Sequence, residues 1–211
     1  MRPDVLITIA SFVAFIYSII AHEVAHGWVA LRCGDTTAYH QGRLTANPIP
    51  HIDPWMSIVV PLMSYSAGMM FGAAKPVPIN PRNFRHWKRD MILVSLAGVT
   101  ANLIIAVACA GLVHLLVRLG RTNTVAVPVL VKTCVTNVGL ILFNLIPVPP
   151  LDGSRAFRYL LPLDLRWKYD KLESYGFLPV LVLVILLQRT PLGDLLGWIH
   201  WQTVHLLLGS A

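Results

Sequence analysis

The sequence predicts an all-α, polytopic membrane protein: a helical bundle of about four to five spans with a re-entrant segment and short membrane-associated β-strands. Hydrophobic residues make up 55% of the 211 residues and charged residues 13%, whereas an average soluble domain is about 25% charged. Five apolar stretches are long enough to enter a bilayer. The loops between them are too short for another folded unit, so we expect one membrane-embedded domain over residues 1–211.

The first apolar stretch, residues 5–31, predicts a membrane span. A cleaved signal peptide is the alternative, but its apolar core is only about 7–15 residues long. The stretch also contains the sequence HEVAH at residues 22–26, which a segment destined for removal would not need. We therefore expect this span to be retained.

The other apolar stretches differ in how continuous they are. Residues 91–117 and 125–147 are unbroken and predict two further spans. Residues 55–74 are interrupted by Pro61 and by the sequence SYSAG. Residues 177–208 are interrupted at QRTPLGD, which is compatible with one broken span or with a span followed by an interfacial helix carrying Trp198 and Trp201.

Two long loops, residues 34–54 and 73–90, are rich in proline and in β-favouring residues. Such a composition predicts short strands and turns rather than helix. The formal charge is +7. In a membrane protein, the distribution of basic residues indicates which ends of the spans face the cytoplasm, so this charge predicts no nucleic-acid partner. Cys33, Cys109 and Cys134 follow no spacing pattern, which argues against a disulfide framework or a thiolate zinc site.

His22, Glu23 and His26 place three ionisable side chains inside an apolar span, where such residues usually mark a functional site. Residues four apart lie on one face of a helix, so both imidazoles can bind one metal ion. The HExxH pattern supplies two zinc ligands and a general base. The alternative is a pair of packed histidines with the glutamate in a salt bridge within the bundle.

A catalytic zinc ion needs a third protein ligand and one open position. Asp152 is favoured because prolines stiffen the preceding chain in FNLIPVPPLDGSR, and a rigid corner suits a preorganised ligand. The alternative for Asp152 is the N-cap of a helix that starts at Gly153. The full set of candidates is Asp35, His40, His51, Asp53, Asp90, His114 and Asp152. His51 and Asp53 either line the site or support it from behind the ligands, or they form a turn or a cap.

A second motif follows HExxH by about 120 residues. Asn-x-x-Pro-x-x-Pro-Leu-Asp-Gly occupies residues 144–153, and the two motifs together resemble the site-2 protease family of intramembrane zinc metalloproteases. GRLTANPIPHIDP, AKPVPINPRNFR and RDMILVSLAGVTAN resemble the compact bacterial members that lack a PDZ or CBS domain. The chain departs from the family at Val99, where a proline is common. We expect that change to alter a helix bend and not the metal site.

The resemblance implies a site of five residues. His22, His26 and Asp152 would bind one Zn²⁺, and Glu23 would be the general base. Asn144 would donate its amide to the developing oxyanion, or alternatively make an interhelical hydrogen bond. The ligand types alone do not distinguish the metal, because two histidines and a carboxylate also hold iron. Zinc is therefore inferred from the motif.

The motifs also constrain the topology. HExxH lies near the C-terminal end of the first span and Asp152 follows the fourth stretch, so an even number of crossings must separate them. Residues 55–74 should then enter and leave the bilayer on one side. Under this arrangement three basic residues lie on the opposite side and twelve on the zinc side, which predicts a cell membrane location with the site toward the cytoplasm. The twelve are Arg32, Arg43, Lys75, Arg82, Arg85, Lys88, Arg89, Arg155, Arg158, Arg166, Lys168 and Lys171.

The sequence therefore predicts an intramembrane zinc endopeptidase that acts on transmembrane proteins in a lipid environment. We expect the substrate to be unwound by strand addition at edges formed by GRLTAN and KPVPIN. One alternative is a proteolytically inactive relative that binds membrane partners, although the intact Glu23 argues against it. Another is a metal transporter, which would need polar residues continuing across the bilayer. The oligomeric state is not predicted.

Overall fold

The computed structural model describes residues 2–53, 74–122 and 124–209. Within these ranges the chain forms eight α-helices and three short 3-10 helices. The α-helices are α1 (Pro3–Cys33), α2 (Thr37–His40), α3 (Trp87–Arg118), α4 (Ala126–Asn144), α5 (Asp152–Phe157), α6 (Leu163–Glu173), α7 (Leu178–Arg189) and α8 (Pro191–Leu208). The 3-10 helices are Ile49–His51, Pro81–Asn83 and Arg158–Leu160.

Three of the described helices, α1, α3 and α4, are long and apolar enough to cross a membrane. They correspond to the three continuous stretches, so those predicted spans are confirmed in length and composition. The last stretch forms two helices, α7 and α8, bent by 86°. The break lies at Thr190, whose backbone is extended before Pro191 at the start of α8, because a residue before proline avoids the helical conformation.

The chain divides into two compact units, residues 1–15 with 99–211 and residues 16–98; the prediction of a single domain stays a prediction. In the first unit, α3 presents one face of small and apolar residues to α4 and α8. Small residues permit close helix packing in a membrane, where packing rather than hydrophobicity drives association. The buried cluster comprises Ala106, Cys109, Ala110, Val113, Cys134, Val138 and Leu208.

In the second unit, Asp35 organises the loops that follow α1. Its Oδ1 accepts hydrogen bonds from the Thr37 N–H at 3.1 Å, the Thr37 hydroxyl at 2.5 Å and Asn83 Nδ2 at 2.8 Å. Its Oδ2 accepts from the Asn80 N–H at 2.7 Å. Burial alone would raise the pKa of Asp35, but the hydrogen bonds from Thr37, Asn80 and Asn83 outweigh it and leave that pKa below its ordinary value.

The predicted β-strands are not present in the part of the chain that the structure describes. GRLTAN and KPVPIN are both fully described, and they form turns, bends and irregular backbone. Pro76 and Pro78 have no N–H to donate to a sheet ladder, and the Val77 N–H already donates to a side chain of its own chain. The predicted re-entrant stretch, residues 55–74, lies outside the described residues except for Ala74.

Candidate functional site

His22 and His26 lie one turn apart on the second half of α1, and both are buried. Their ring centroids are 4.7 Å apart with the planes nearly perpendicular, at 81°. The ligand nitrogens of this pair lie within 4.8 Å of each other. Two nitrogens that bind one metal ion at about 2.0–2.1 Å lie at most about 4.2 Å apart, so at most a small ring movement would let this pair share an ion. The i, i+4 spacing therefore brings the two imidazoles together on one face of α1, and their binding of one metal ion stays a prediction.

The backbone of α3 orients His26. Nδ1 of His26 lies 2.7 Å from the carbonyl oxygen of Val94. A carbonyl oxygen only accepts, so Nδ1 carries the proton and donates it, which leaves the lone pair on Nε2. Metal-binding histidines commonly have this second hydrogen bond, which fixes the tautomer and the ring orientation.

Gly98, one turn after Val94 on α3, makes room for both rings. A Cβ at this position would lie 2.5 Å from Nε2 of His22 and 2.5 Å from Nε2 of His26. Because both nitrogens approach the same point, they converge beside Gly98. Only a residue without a side chain leaves that space open.

Glu23 lies between the two histidines in sequence, and its carboxylate is held by the loop before α3. Oε2 of Glu23 accepts a hydrogen bond from the Val77 N–H at 2.9 Å. This charge-assisted bond fixes the carboxylate next to the histidine pair on the same helix. The arrangement provides an anchored carboxylate that can accept a proton from a nearby water.

Two acidic candidates for the third ligand have structural roles. The four hydrogen bonds accepted by Asp35 hold the loops after α1 together. Asp90 is buried in the first turns of α3, where its Oδ2 accepts from the His86 N–H at 2.8 Å. That bond satisfies a backbone donor at the helix start. Both carboxylates are therefore engaged in local structure.

The other candidates lie in varied surroundings. Nε2 of His51 donates to the Thr45 carbonyl at 3.0 Å, and Nε2 of His114 donates to the Leu207 carbonyl at 2.8 Å. His40 is exposed at the end of α2, and Asp53 is half-buried at the edge of the described loop. His51 is thus tied to its own loop, and its predicted role at the site stays a prediction.

Asp152 is the first residue of α5 in the other unit, and it is buried. Leu151 occupies the N-cap position without a side-chain cap bond. The alternative role of Asp152 as an N-cap is therefore wrong. The turn before it is fixed by a hydrogen bond from the Leu151 N–H to the Val148 carbonyl at 2.9 Å.

Gly153 allows α5 to start directly against the end of α4. A Cβ at Gly153 would overlap the carbonyl of Leu145 and come within 3.0 Å of the Asn144 carbonyl oxygen. Asn144 is the last residue of α4, and its Nδ2 donates to the Leu140 carbonyl one turn earlier at 3.0 Å. The described bond of Asn144 is thus within its own helix rather than between helices, and it uses one of the two amide hydrogens.

Sequence reasoning found the side chains but missed their partners. The Val94 carbonyl, the Val77 N–H and the space at Gly98 all belong to the backbone, which no residue pattern reveals. The nearest signal was that Val94 and Gly98 both lie in RDMILVSLAGVTAN and Val77 in AKPVPINPRNFR, two of the segments that carry the family resemblance.

Comparisons with known proteins identify relatives. The chain is 40% identical over 191 residues to YwhC of Bacillus subtilis, named as a candidate zinc metalloprotease, covering 88% of this chain and 83% of YwhC. It is 30% identical over 173 residues to Rip2 of Mycolicibacterium smegmatis, covering 81% of this chain and 64% of that relative. It is 26% identical over 187 residues to Rip2 of Mycobacterium tuberculosis, covering 89% of this chain and 70% of that relative. Both Rip2 proteins are described in the same words.

No family model matches the chain, and no solved structure matches it. The similarity to YwhC extends over most of both chains. The chain belongs to the family of YwhC, and YwhC and both Rip2 proteins are named as candidate zinc metalloproteases.

Proposed function

We propose that this protein is an intramembrane zinc metalloprotease of the site-2 type, which hydrolyses peptide bonds in or near the transmembrane segments of other proteins. The observation that carries the proposal is the convergence of the His22 and His26 nitrogens beside Gly98, with the Glu23 carboxylate anchored on the same helix. Three apolar helices long enough to cross a membrane support a membrane setting.

The residues fit a zinc ion. Gly98 leaves a space that a Cβ would fill, and the bond from His26 to Val94 leaves the Nε2 lone pair for a metal. His22, His26 and Asp152 are each buried. Two histidines and one carboxylate are a donor set of catalytic zinc, so we assign these three as ligands.

Each remaining residue has a defined task in this proposal. Zinc, when bound, acts as a Lewis acid that activates water and polarises the substrate carbonyl. Glu23 accepts a proton from the attacking water and delivers it to the leaving amine. The second amide hydrogen of Asn144 would stabilise the developing oxyanion, a contribution of about 2.7–4 kcal/mol where such donors have been removed.

The proposed setting follows from charge and composition. The excess of basic residues on the side of HExxH favours a cytoplasmic orientation in the cell membrane. The substrates would be membrane proteins whose spans must partly unwind before cleavage. KPVPIN does not offer a strand edge to these substrates, because the Val77 N–H is already bonded to Glu23 and its neighbours are prolines.

Metal content is the first test, because it needs no substrate. We would purify the wild type in detergent and measure bound zinc per chain, with Asp152→Ala and, as control, Asp164→Ala, which replaces an exposed aspartate on α6. The expected result is close to one zinc per wild-type and Asp164→Ala chain, with most of it lost in Asp152→Ala. Full zinc retention in folded Asp152→Ala would remove Asp152 from the ligand set.

A cleavage assay then separates the enzyme from an inactive binding protein. Wild type and Glu23→Gln would be incubated with a reporter that carries a single transmembrane segment. The proposal expects cleavage by the wild type and a loss of at least about 100-fold in Glu23→Gln, the lower end of the range for a general base. Equal zinc content with equal cleavage in the two proteins would contradict the role of Glu23.

A further inference from the structure

We infer that the segment Pro76–Val77–Pro78 is a positioning element for the general base, because the Val77 N–H holds the Glu23 carboxylate in its working orientation. The inference rests on the proposed function, since it assigns a task to residues around the proposed base. Val77 would act through Glu23 and would not itself touch the substrate.

Two contacts fix Val77 against α1. Its N–H donates to Oε2 of Glu23 at 2.9 Å, and its side chain is buried. Cγ1 of Val77 lies 3.0 Å from the point where Gly27 would carry a Cβ. Gly27 is four residues after Glu23, so both contacts fall on one face of α1, and the absent side chain at Gly27 lets the loop approach that face.

The flanking prolines make this donor rigid. Proline has no N–H, so the Val77 N–H is the sole backbone donor of the three residues. Each proline ring fixes its own φ near −65°, and Pro78 also restricts Val77 to extended conformations. The two prolines therefore narrow the range of backbone conformations in the segment that presents the Val77 N–H.

Both ends of the segment are tied to the same unit. The Lys75 N–H donates to the His51 carbonyl at 2.9 Å, and Nη2 of Arg43 donates to the Lys75 carbonyl at 2.7 Å. At the other end, the Asn80 N–H donates to Oδ2 of Asp35 at 2.7 Å. The His51 carbonyl and the Asp35 carboxylate thus anchor the two ends of the loop whose Val77 N–H bonds Glu23.

The consequence for catalysis is orientation. A glutamate side chain has several rotatable bonds, and only a small part of their range brings an oxygen within about 2.6–3.2 Å of an attacking water. Anchoring Oε2 fixes the carboxylate plane and leaves Oε1 to take the proton. A shift of about 1 Å in such a group can cost about 100-fold in rate, so loss of the bond should lower kcat more than it changes KM.

The test compares Val77→Pro, which removes the N–H, with Val77→Ala, which keeps it and loses packing. Ile79→Pro is the matched control for an added proline, because the Ile79 N–H makes no hydrogen bond within the described residues. We expect Val77→Pro to lower kcat about 10- to 100-fold with KM and zinc per chain near wild type. Val77→Ala should lose less than about threefold, and Ile79→Pro should stay close to wild type.

If Val77→Pro does not fold, an ester in place of the backbone amide at position 77 is the second test. The ester removes the N–H that donates to Glu23 and keeps the valine side chain. Equal kcat for the ester and the wild type would overturn the inference. Failure of the proposed function looks different, because the wild type itself would then bind no zinc or would cleave as slowly as Glu23→Gln.

Discussion

Replacing Gly98 by alanine should weaken zinc binding, because the added methyl group would enter the space between the two histidines. The new Cβ would lie 2.5 Å from Cε1 and Nε2 of His22 and from Nε2 of His26. Carbon–carbon contacts are most favourable at about 3.5–4.0 Å, so at least one ring must move by about 1 Å. The bond from His26 to Val94 at 2.7 Å opposes that movement.

Mutations of the groups that orient metal ligands lower metal affinity by about 10- to 100-fold. We expect the loss of zinc affinity in Gly98→Ala to fall in the same range. That range corresponds to about 1.4–2.7 kcal/mol. Competition with a fluorescent zinc chelator would give the affinity of the purified protein in detergent. Circular dichroism and size-exclusion chromatography would show that the variant remains folded.

Gly111→Ala is the matched control, since Gly111 lies on the same helix and a Cβ there would meet nothing within 4 Å. Both substitutions raise helix propensity by about 1 kcal/mol, so the difference between them isolates the clash with the histidines. Equal zinc affinity in Gly98→Ala, Gly111→Ala and the wild type would refute the placement of the metal beside Gly98.

Two further predictions concern stability. Gly153→Ala should destabilise the protein by about 1–3 kcal/mol, because its methyl group would overlap the Leu145 carbonyl. Gly197→Ala on α8 is the control, since a Cβ there would meet nothing within 4 Å. Thermal unfolding of both variants in detergent checks this prediction, and equal unfolding midpoints would contradict it. Asp35→Asn should destabilise by about 1–3 kcal/mol at pH 7, with the exposed Asp164→Asn as control. Because the pKa of Asp35 is lowered on folding, its contribution is present above the unfolded pKa of about 3.9 and is lost as the pH falls through the folded pKa. The deficit of Asp35→Asn should therefore shrink in acid, and a deficit independent of pH would exclude this account.

The proximity of His22 and His26 was predictable because it is local. A continuous apolar run predicts a helix, and a helix places residues four apart on one face whatever the rest of the chain does. The same reasoning predicted the break near Pro191, since proline cannot continue a helix from the residue before it. These features depend on covalent geometry and on neighbours within a few residues.

Strand formation was not predictable in the same way. GRLTAN and KPVPIN have a composition that favours strands, but β-propensity depends on partners and burial more than on the backbone itself. In KPVPIN, the Val77 N–H donates to the Glu23 carboxylate, and the Lys75 N–H donates to the His51 carbonyl. Tertiary hydrogen bonds thus replaced the sheet ladder that the composition suggested.

The sequence by itself determined the candidate residues: an aspartate after a proline-rich turn, and two histidines and a glutamate on one helical face. The tertiary structure alone decided how they are oriented, through the Val94 carbonyl, the space at Gly98 and the Val77 N–H. Side-chain identity is written in the sequence, whereas every residue except proline offers the same backbone N–H and carbonyl. Which of those groups meets a given side chain depends on how distant segments pack.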